Sequence, residues 1–164
     1  MKEIKIEDWN ENPFKVIGKD WMLITAEKDG KTNMMTASWG GMGILWGKNV
    51  ATVYIRPSRY TKGFVDAGEK FTLCVMAEKY RKELAYCGKI SGRDEDKVAA
   101  CGWTVEKEDG AVWFKESRLV FVCKKLYSQK MDASLLKDVE ARNAMWSNDV
   151  HEMYIAEIEK VLVE

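Results

Sequence analysis

A single histidine, His151, stands in 164 residues, and the four cysteines, Cys74, Cys87, Cys101 and Cys123, show no C-x-x-C spacing. That scarcity argues against a transition-metal cage, which needs clustered imidazoles and thiolates. It also leaves a Ser-His-Asp hydrolase only His151, with no G-x-S-x-G elbow to present a nucleophile. In a reducing compartment the cysteines read as free, mostly buried thiols. Cys87-Gly88 and Cys101-Gly102 flank one loop, which leaves a redox role open for that pair. Neither charge is in excess, with 26 lysines and arginines against 26 acids, so a global basic field for nucleic acid is absent. No stretch approaches the roughly 20 apolar residues of a membrane span. The segment Met1–Asp8 carries acids and no apolar core, unlike a secretory signal. These absences predict a cytoplasmic protein with neither membrane nor nucleic acid as partner. Repeats, low-complexity runs and Pro/Gly linkers are also missing. With 46% apolar and 11% aromatic residues, the chain reads as one domain over 1–164, able to bury a core without disulfides or metals.

What is present is a series of short β-rich runs. Trp21–Glu27 enters the turn Lys28-Asp29-Gly30-Lys31 and returns over Thr32–Ser38. Gly40, Gly41 and Gly43 then mark a bend. Val50–Ile55 is the next strand, stopped at Pro57, and Ser58 is expected to cap a helix over Arg59–Ala67 that Gly68 closes. Further strands are expected at Phe71–Met76, at the hairpin Thr104–Lys107 and Val112–Lys115, at Leu119–Ser128 and at Tyr154–Val163. Helices are expected at Glu78–Tyr86, ending before Gly88, at Asp94–Ala100 and at Ser134–Arg142. Many short strands broken by few helices predict an antiparallel barrel rather than a regular βαβ series. Trp9, Trp103, Trp113 and Trp146 lack ligand spacing and read as core or interface residues.

Two segments carry chemistry. Thr36-Ala37-Ser38-Trp39 places hydroxyls at Thr36 and Ser38 on one strand face, since side chains alternate, followed by an indole beside glycines. The same residues also suit a solvent-facing strand and a plug for a barrel end. Arg56-Pro57-Ser58-Arg59-Tyr60-Thr61 ends the following strand in two cations, hydroxyls and a tyrosine at an expected helix start, where unpaired N–H groups favour an anion. A capped surface helix with solvated arginines is the alternative. Together the pair offers a flat apolar wall and phosphate-binding groups within thirty residues. Weaker signals follow. Ser91-Gly92-Arg93-Asp94 is a glycine loop leading to Lys97, able to donate to a ligand edge or merely to cap a helix. His151 stands just before the last strand.

At these residues the chain resembles the flavin reductase-like family with its FMN-binding split barrel, and within it the flavoredoxin-type branch. The resemblance spans about Trp21 to Ile158. It rests on Asn33-x-Met35-Thr36-x-Ser38-Trp39, on Arg56-Pro57-Ser58-Arg59-Tyr60-Thr61, on Cys87-Gly88 with Ser91-Gly92-Arg93-Asp94-x-Asp96-Lys97, and on the stretch from His151 to Ile158. It implies a mainly β, antiparallel Greek-key split barrel with helical insertions, holding FMN at a homodimer interface. It further implies that Thr36, Ala37, Ser38 and Trp39 line the ring and ribityl chain. Arg56, Ser58, Arg59, Tyr60 and Thr61 would surround the phosphate. Ser91 and Gly92 would flank the ring edge, with Lys97 near the ring, where a cation raises a flavin's reduction potential. His151 would stand where a nicotinamide or acceptor approaches. The glycines after Trp39 replace a proline that many flavin reductases carry, which favours the flavoredoxin-like branch. No G-x-G-x-x-G occurs, so NAD(P)H would bind without a Rossmann unit. The expected function is an FMN-dependent oxidoreductase or electron carrier, fed by NAD(P)H or a redox protein. A non-catalytic FMN-binding or sensing module is the alternative, and a pyridoxamine-phosphate oxidase relative fits the motif order poorly.

Overall fold

Three hairpins in the chain turn on the same two-residue device, a non-glycine residue followed by glycine, both at positive φ. These pairs are Asp29 (51°) and Gly30 (75°), Trp46 (51°) and Gly47 (70°), and Asp109 (48°) and Gly110 (78°). Positive φ at both central positions gives a turn whose twist matches that of the flanking strands. The computed structural model describes residues 1–138, 140 and 149–164. The first turn joins β2 (Met22–Lys28) to β3 (Lys31–Ala37) and the second joins β4 (Gly40–Leu45) to β5 (Lys48–Ile55). The third joins β7 (Val105–Glu108) to β8 (Ala111–Phe114). The first and third were anticipated. The second was read as a glycine bend and is instead a full strand pair.

The remaining strands are β1 (Lys2–Ile4), β6 (Lys70–Met76), β9 (Ser117–Lys130) and β10 (Glu152–Val163). They complete one antiparallel sheet in the order β3-β2-β6-β9-β10-β5-β4, with β7 and β8 forming a separate ribbon. β10 is the organising strand. It pairs with β9 along its length, with β5 over Glu152–Glu157 and with β1 over Val161–Val163. The sheet path ends at two edges, β3 and β4, which the two residues Ser38 and Trp39 join in sequence.

β9 carries apolar side chains on both faces because both faces are covered. Leu119, Phe121 and Cys123 enter one core with Ile24, Val53, Phe71 and Tyr154. Val120 and Val122 enter a second core with Trp103, Trp113, Phe114 and Leu84, built under the β7–β8 ribbon and α3 (Arg81–Lys89). Trp9 packs edge-on against Phe121 at 4.9 Å.

The helices are α1 (Pro13–Lys15), which runs on into a wider turn over Val16–Asp20, α2 (Lys62–Ala67), α3 and α4 (Lys97–Cys101). Ser58 does not cap α2. The helix starts after Thr61, with no side chain bonded into its first turn, and Ser58 stands in the preceding turn with its hydroxyl on Asp149. α3 does not stop before Gly88 but passes through it to Lys89. A glycine suits that position because a Cβ there would lie 3.4 Å from the Thr36 Cβ, so helix and strand approach closely. α4 begins later than expected, at Lys97, because the Asp96 carboxylate accepts from the Ala99 N–H at 3.1 Å. Of the helix expected over Ser134–Arg142, a short 3-10 turn at Ala133–Leu135 is present. Residues 139 and 141–148, Trp146 among them, lie outside the described residues. Among the described residues no helix is long and apolar enough to cross a membrane.

Candidate functional site

Where β3, β5 and β10 end side by side, a cleft of about 380 Å³ opens, lined by Met35, Thr36, Ala37, Ser38, Trp39, Tyr54, Arg56, Ser58, Arg59 and His151. Its floor is set by pairing. The start of β10 lies against the end of β5, with Glu152 opposite Ile55, and that register brings His151 to Arg56. The Arg56 Nε–H donates to His151 Nε2 at 3.4 Å. Trp39, 40% exposed, stands over the same imidazole with ring centroids 5.2 Å apart. An adjoining hollow of about 530 Å³ shares Ser38, Trp39, Tyr54 and His151 and continues along Phe14, Ile17, Gly40, Met42 and Met131. The pair of hollows is polar and cationic at one end and apolar at the other.

Positive charge in the cleft is only partly compensated among the described residues. Among the described residues neither Arg56 nor Arg59 makes an ion pair with a carboxylate. The Arg59 Nη1 donates instead to the Gly88 carbonyl at 2.7 Å, which braces α3 against the turn. Burial, and then the neighbouring Arg56, push the Arg59 guanidinium below its usual value. Two close cations at a partly buried site repel each other and are stabilised by any anion placed between them. Asp149 answers part of that demand. Its carboxylate accepts from the Ser58 N–H at 3.3 Å and from the Ser58 hydroxyl. His151 is 5% exposed, and burial followed by the charge of Arg56 holds its pKa below the usual imidazole value. It is therefore neutral at pH 7 and accepts the Arg56 proton.

Of the residues singled out in the sequence, Thr36, Ala37, Ser38, Trp39, Arg56, Ser58, Arg59 and His151 meet in this one cleft. The Thr36 hydroxyl is already spent on the Leu84 carbonyl at 2.5 Å. Tyr60, Thr61, Ser91, Gly92 and Lys97 do not line it. Tyr60, Gly92 and Lys97 belong to a neighbouring hollow, where Arg93 lies over the Tyr60 ring at 5.0 Å. Thr61 is buried and accepts from the Asn33 side-chain amide at 2.8 Å. Ser91 accepts from the Arg93 N–H at 3.2 Å within its own loop. Lys97 is 3% exposed. Its ammonium donates to the carbonyls of Met34 and Cys87, and burial lowers its pKa to about 8. In place of an open cation at a ring edge, Lys97 is a strut between β3 and α3. The sequence reading passed over two lining or flanking groups. Tyr54 alternates with Arg56 on β5 and shares its face, a signal available from strand periodicity. Asp149 gave no local signal, since only tertiary pairing brings it to Ser58.

A single antiparallel sheet with its path broken between two edges, and an anion-seeking cleft at the break, is a split barrel. The chain belongs to the flavin reductase like domain family, whose model matches residues 16–164. Among solved structures it is similar to a flavoredoxin from Methanosarcina acetivorans (TM-score 0.72, 20% identity, covering 100% of this chain and 76% of that one). It is also similar to the flavoredoxin of Desulfovibrio vulgaris (Miyazaki F) (0.68, 23%, 88% and 68%). A third similar structure is an FMN-binding protein from Thermus thermophilus crystallised with p-hydroxybenzaldehyde (0.69, 15%, 100% and 82%). No curated protein matches the chain.

Proposed function

We propose that the protein binds FMN in this cleft and serves as an FMN-dependent oxidoreductase or electron-transfer flavoprotein. The observation that carries the reading is the pair Arg56 and Arg59, which make no ion pair with a carboxylate among the described residues and face the same cleft as an exposed indole. Guanidinium groups match a phosphate in charge and donor geometry, and the Ser58 N–H and hydroxyl, held by Asp149 in this structure, would add two donors on exchanging that carboxylate for the phosphate. Arg56, Ser58 and Arg59 would hold the phosphate, and Ser38, Trp39 and His151 would face the ring. Bound FMN supplies the hydride or electron chemistry, taken from NAD(P)H or a redox protein and passed to a small or protein acceptor. The chain's own residues bind and orient. His151, neutral and held by Arg56, presents a polar edge. Trp39 and Tyr54 divide the cationic cleft from the apolar hollow, where a nicotinamide or other planar partner stacks without water.

Homodimer formation belongs to the same proposal. Phe14, Ile44 and Trp46 are 86%, 71% and 64% exposed on α1 and the β4–β5 hairpin, beside the apolar hollow. A second copy covers this face in a cytoplasmic setting that suits four free thiols.

Fluorescence titration with FMN and riboflavin tests the core of this reading. The unaltered protein binds FMN more tightly than riboflavin. The double substitution Arg56→Ala with Arg59→Ala abolishes most of that preference while riboflavin binding changes little. Equal weakening of both ligands, or no binding of either by the unaltered protein, defeats the assignment. A binding or sensing module without turnover is favoured by one observation, the commitment of Lys97 to two carbonyls. Anaerobic mixing of the FMN-loaded protein with NADH, NADPH or a reduced low-potential redox protein separates the two readings, because a module without turnover leaves the flavin oxidised with each donor.

A further inference from the structure

We propose that Cys87 and Cys101 form a reversible internal disulfide, making the junction of α3 and α4 an exchange site for low-molecular-weight disulfides. Their sulfurs lie 3.7 Å apart, in direct contact, and side-chain rotation would have to bring them to the ~2.05 Å of a disulfide. The two residues lie on different helices, Cys87 in the last turn of α3 and Cys101 at the end of α4. The other two cysteines are set apart from them. Cys74 and Cys123 are fully enclosed in the two cores, out of reach of any solvent-borne disulfide.

The pair is asymmetric in a way that assigns roles. Cys101 is half-buried and Cys87 lies wholly buried behind it. Cys101 therefore meets an incoming disulfide and Cys87 resolves the product. Burial, and then its neighbour Cys101, push the Cys87 thiol up to about 12, so it keeps its proton. Its S–H bond to the Cys101 sulfur offsets part of the rise that burial imposes on Cys101. Glu83 lies one helical turn before Cys87, and its negative charge adds to the rise of both thiols, so the Cys87 proton leaves with the departing thiolate.

The exchange runs in two balanced steps. The Cys101 thiolate attacks one sulfur of the external disulfide, whose S–S bond breaks and releases one thiolate. Cys87 then gives up its proton and attacks the Cys101 sulfur of the mixed disulfide, expelling the second thiolate. Two protein thiols are oxidised to one disulfide. The external disulfide is reduced to two thiols, which carry away both protons. The new bond ties α3 to α4 across the loop that holds Ser91, Gly92 and Arg93. That loop already reaches the cleft, since Arg93 Nη1 donates to the Ser58 carbonyl at 3.2 Å.

Mass spectrometry of the native protein exposed to oxidised glutathione, then alkylated in denaturant, tests the proposal without reference to any flavin. Two of the four thiols should become unavailable, with a Cys87–Cys101 cross-linked peptide and a loss of about 2 Da for the two hydrogens removed. Dithiothreitol should restore both. Cys87→Ser should accumulate a stable glutathione adduct at Cys101, and Cys101→Ser should resist both modifications. The proposal is overturned if the unaltered protein keeps all four thiols. It is equally overturned if the unaltered protein accumulates the same stable adduct as Cys87→Ser.

Discussion

Arg56 donates its Nε–H to His151 Nε2 at 3.4 Å, so the end of β5 and the start of β10 are joined through an imidazole that must be neutral to accept. Burial and the Arg56 charge both hold the His151 pKa below 6.5. The sign of the consequence follows from linkage. The unfolded chain takes up this proton first, so the contribution is fully present above about 6.5 and is lost as pH falls through the folded value. Because the chain has one histidine, a single imidazole resonance reports it by NMR. Its midpoint should lie below 6.5 and should rise partway back in Arg56→Gln, where burial remains but the cation is gone. A midpoint that the substitution leaves unmoved would show that Arg56 does not set it.

Asp149 holds two donors that a bound phosphate would need, the Ser58 N–H and hydroxyl. Asp149→Asn removes a negative charge from the phosphate end of the cleft while preserving side-chain shape. FMN binding should tighten by roughly two- to fivefold, the range of an exposed charge pair, and riboflavin binding should stay the same. Calorimetric titration with both ligands checks this, and weaker FMN binding would place Asp149 among the ligand's supports instead.

The cleft's two halves were legible because each has a local signal: strand alternation for Thr36 and Ser38 at the end of β3, and paired cations with a hydroxyl after β5 for Arg56, Ser58 and Arg59. What joins them was not, because the register of β10 on β5 that delivers His151 and Asp149 is a tertiary fact. The hairpin of β4 and β5 escaped for a local reason. Trp46 occupies a positive-φ position that sequence reasoning gives to asparagine, aspartate or glycine, so the turn signal was half hidden. Lys97, expected near the ring, is buried with its ammonium on the Met34 and Cys87 carbonyls. A lysine after Asp96 on a short helix reads as solvated, and only the packing of α4 under β3 turns it inward. The close approach of Cys87 and Cys101 likewise depends on that packing.

Lys97 provides a second pH test, with a different window. Its folded pKa of about 8 lies below the ordinary 10.5, so between those values the unfolded chain binds more protons. Stability from this group rises across the window and carries the burial cost of a cation below it. At pH 7, Lys97→Met should cost about 1–3 kcal/mol, because it strands the buried acceptors of Met34 and Cys87. From pH 8 to 10 the unaltered protein should gain further on the variant in urea denaturation. Cys87, pushed up to about 12, and Cys101 both feel the Lys97 charge, so the comparison is made in a background with both cysteines replaced by serine. A gap that stays flat or narrows over this range would mean the folded ammonium keeps its proton.

Gly40 and Gly41 follow each other at the start of β4, yet they answer to different constraints. A Cβ on Gly40 would lie 2.7 Å from the Thr52 carbonyl oxygen, whereas one on Gly41 would meet nothing within 4 Å. The obstacle at Gly40 is backbone in a paired strand, opposite Val53 in register, so it cannot rotate aside as a flexible side chain would. Gly40→Ala should therefore cost about 1–3 kcal/mol by overpacking. Gly41→Ala should be neutral or stabilising by up to about 1 kcal/mol, because alanine restricts the unfolded chain more than glycine does. Thermal unfolding of the two variants side by side measures the contrast. Since Gly40 also lines the apolar hollow, a Gly40→Ala protein as stable as the original would mean that the β4 edge shifts freely, and with it the wall of the hollow beside Trp39.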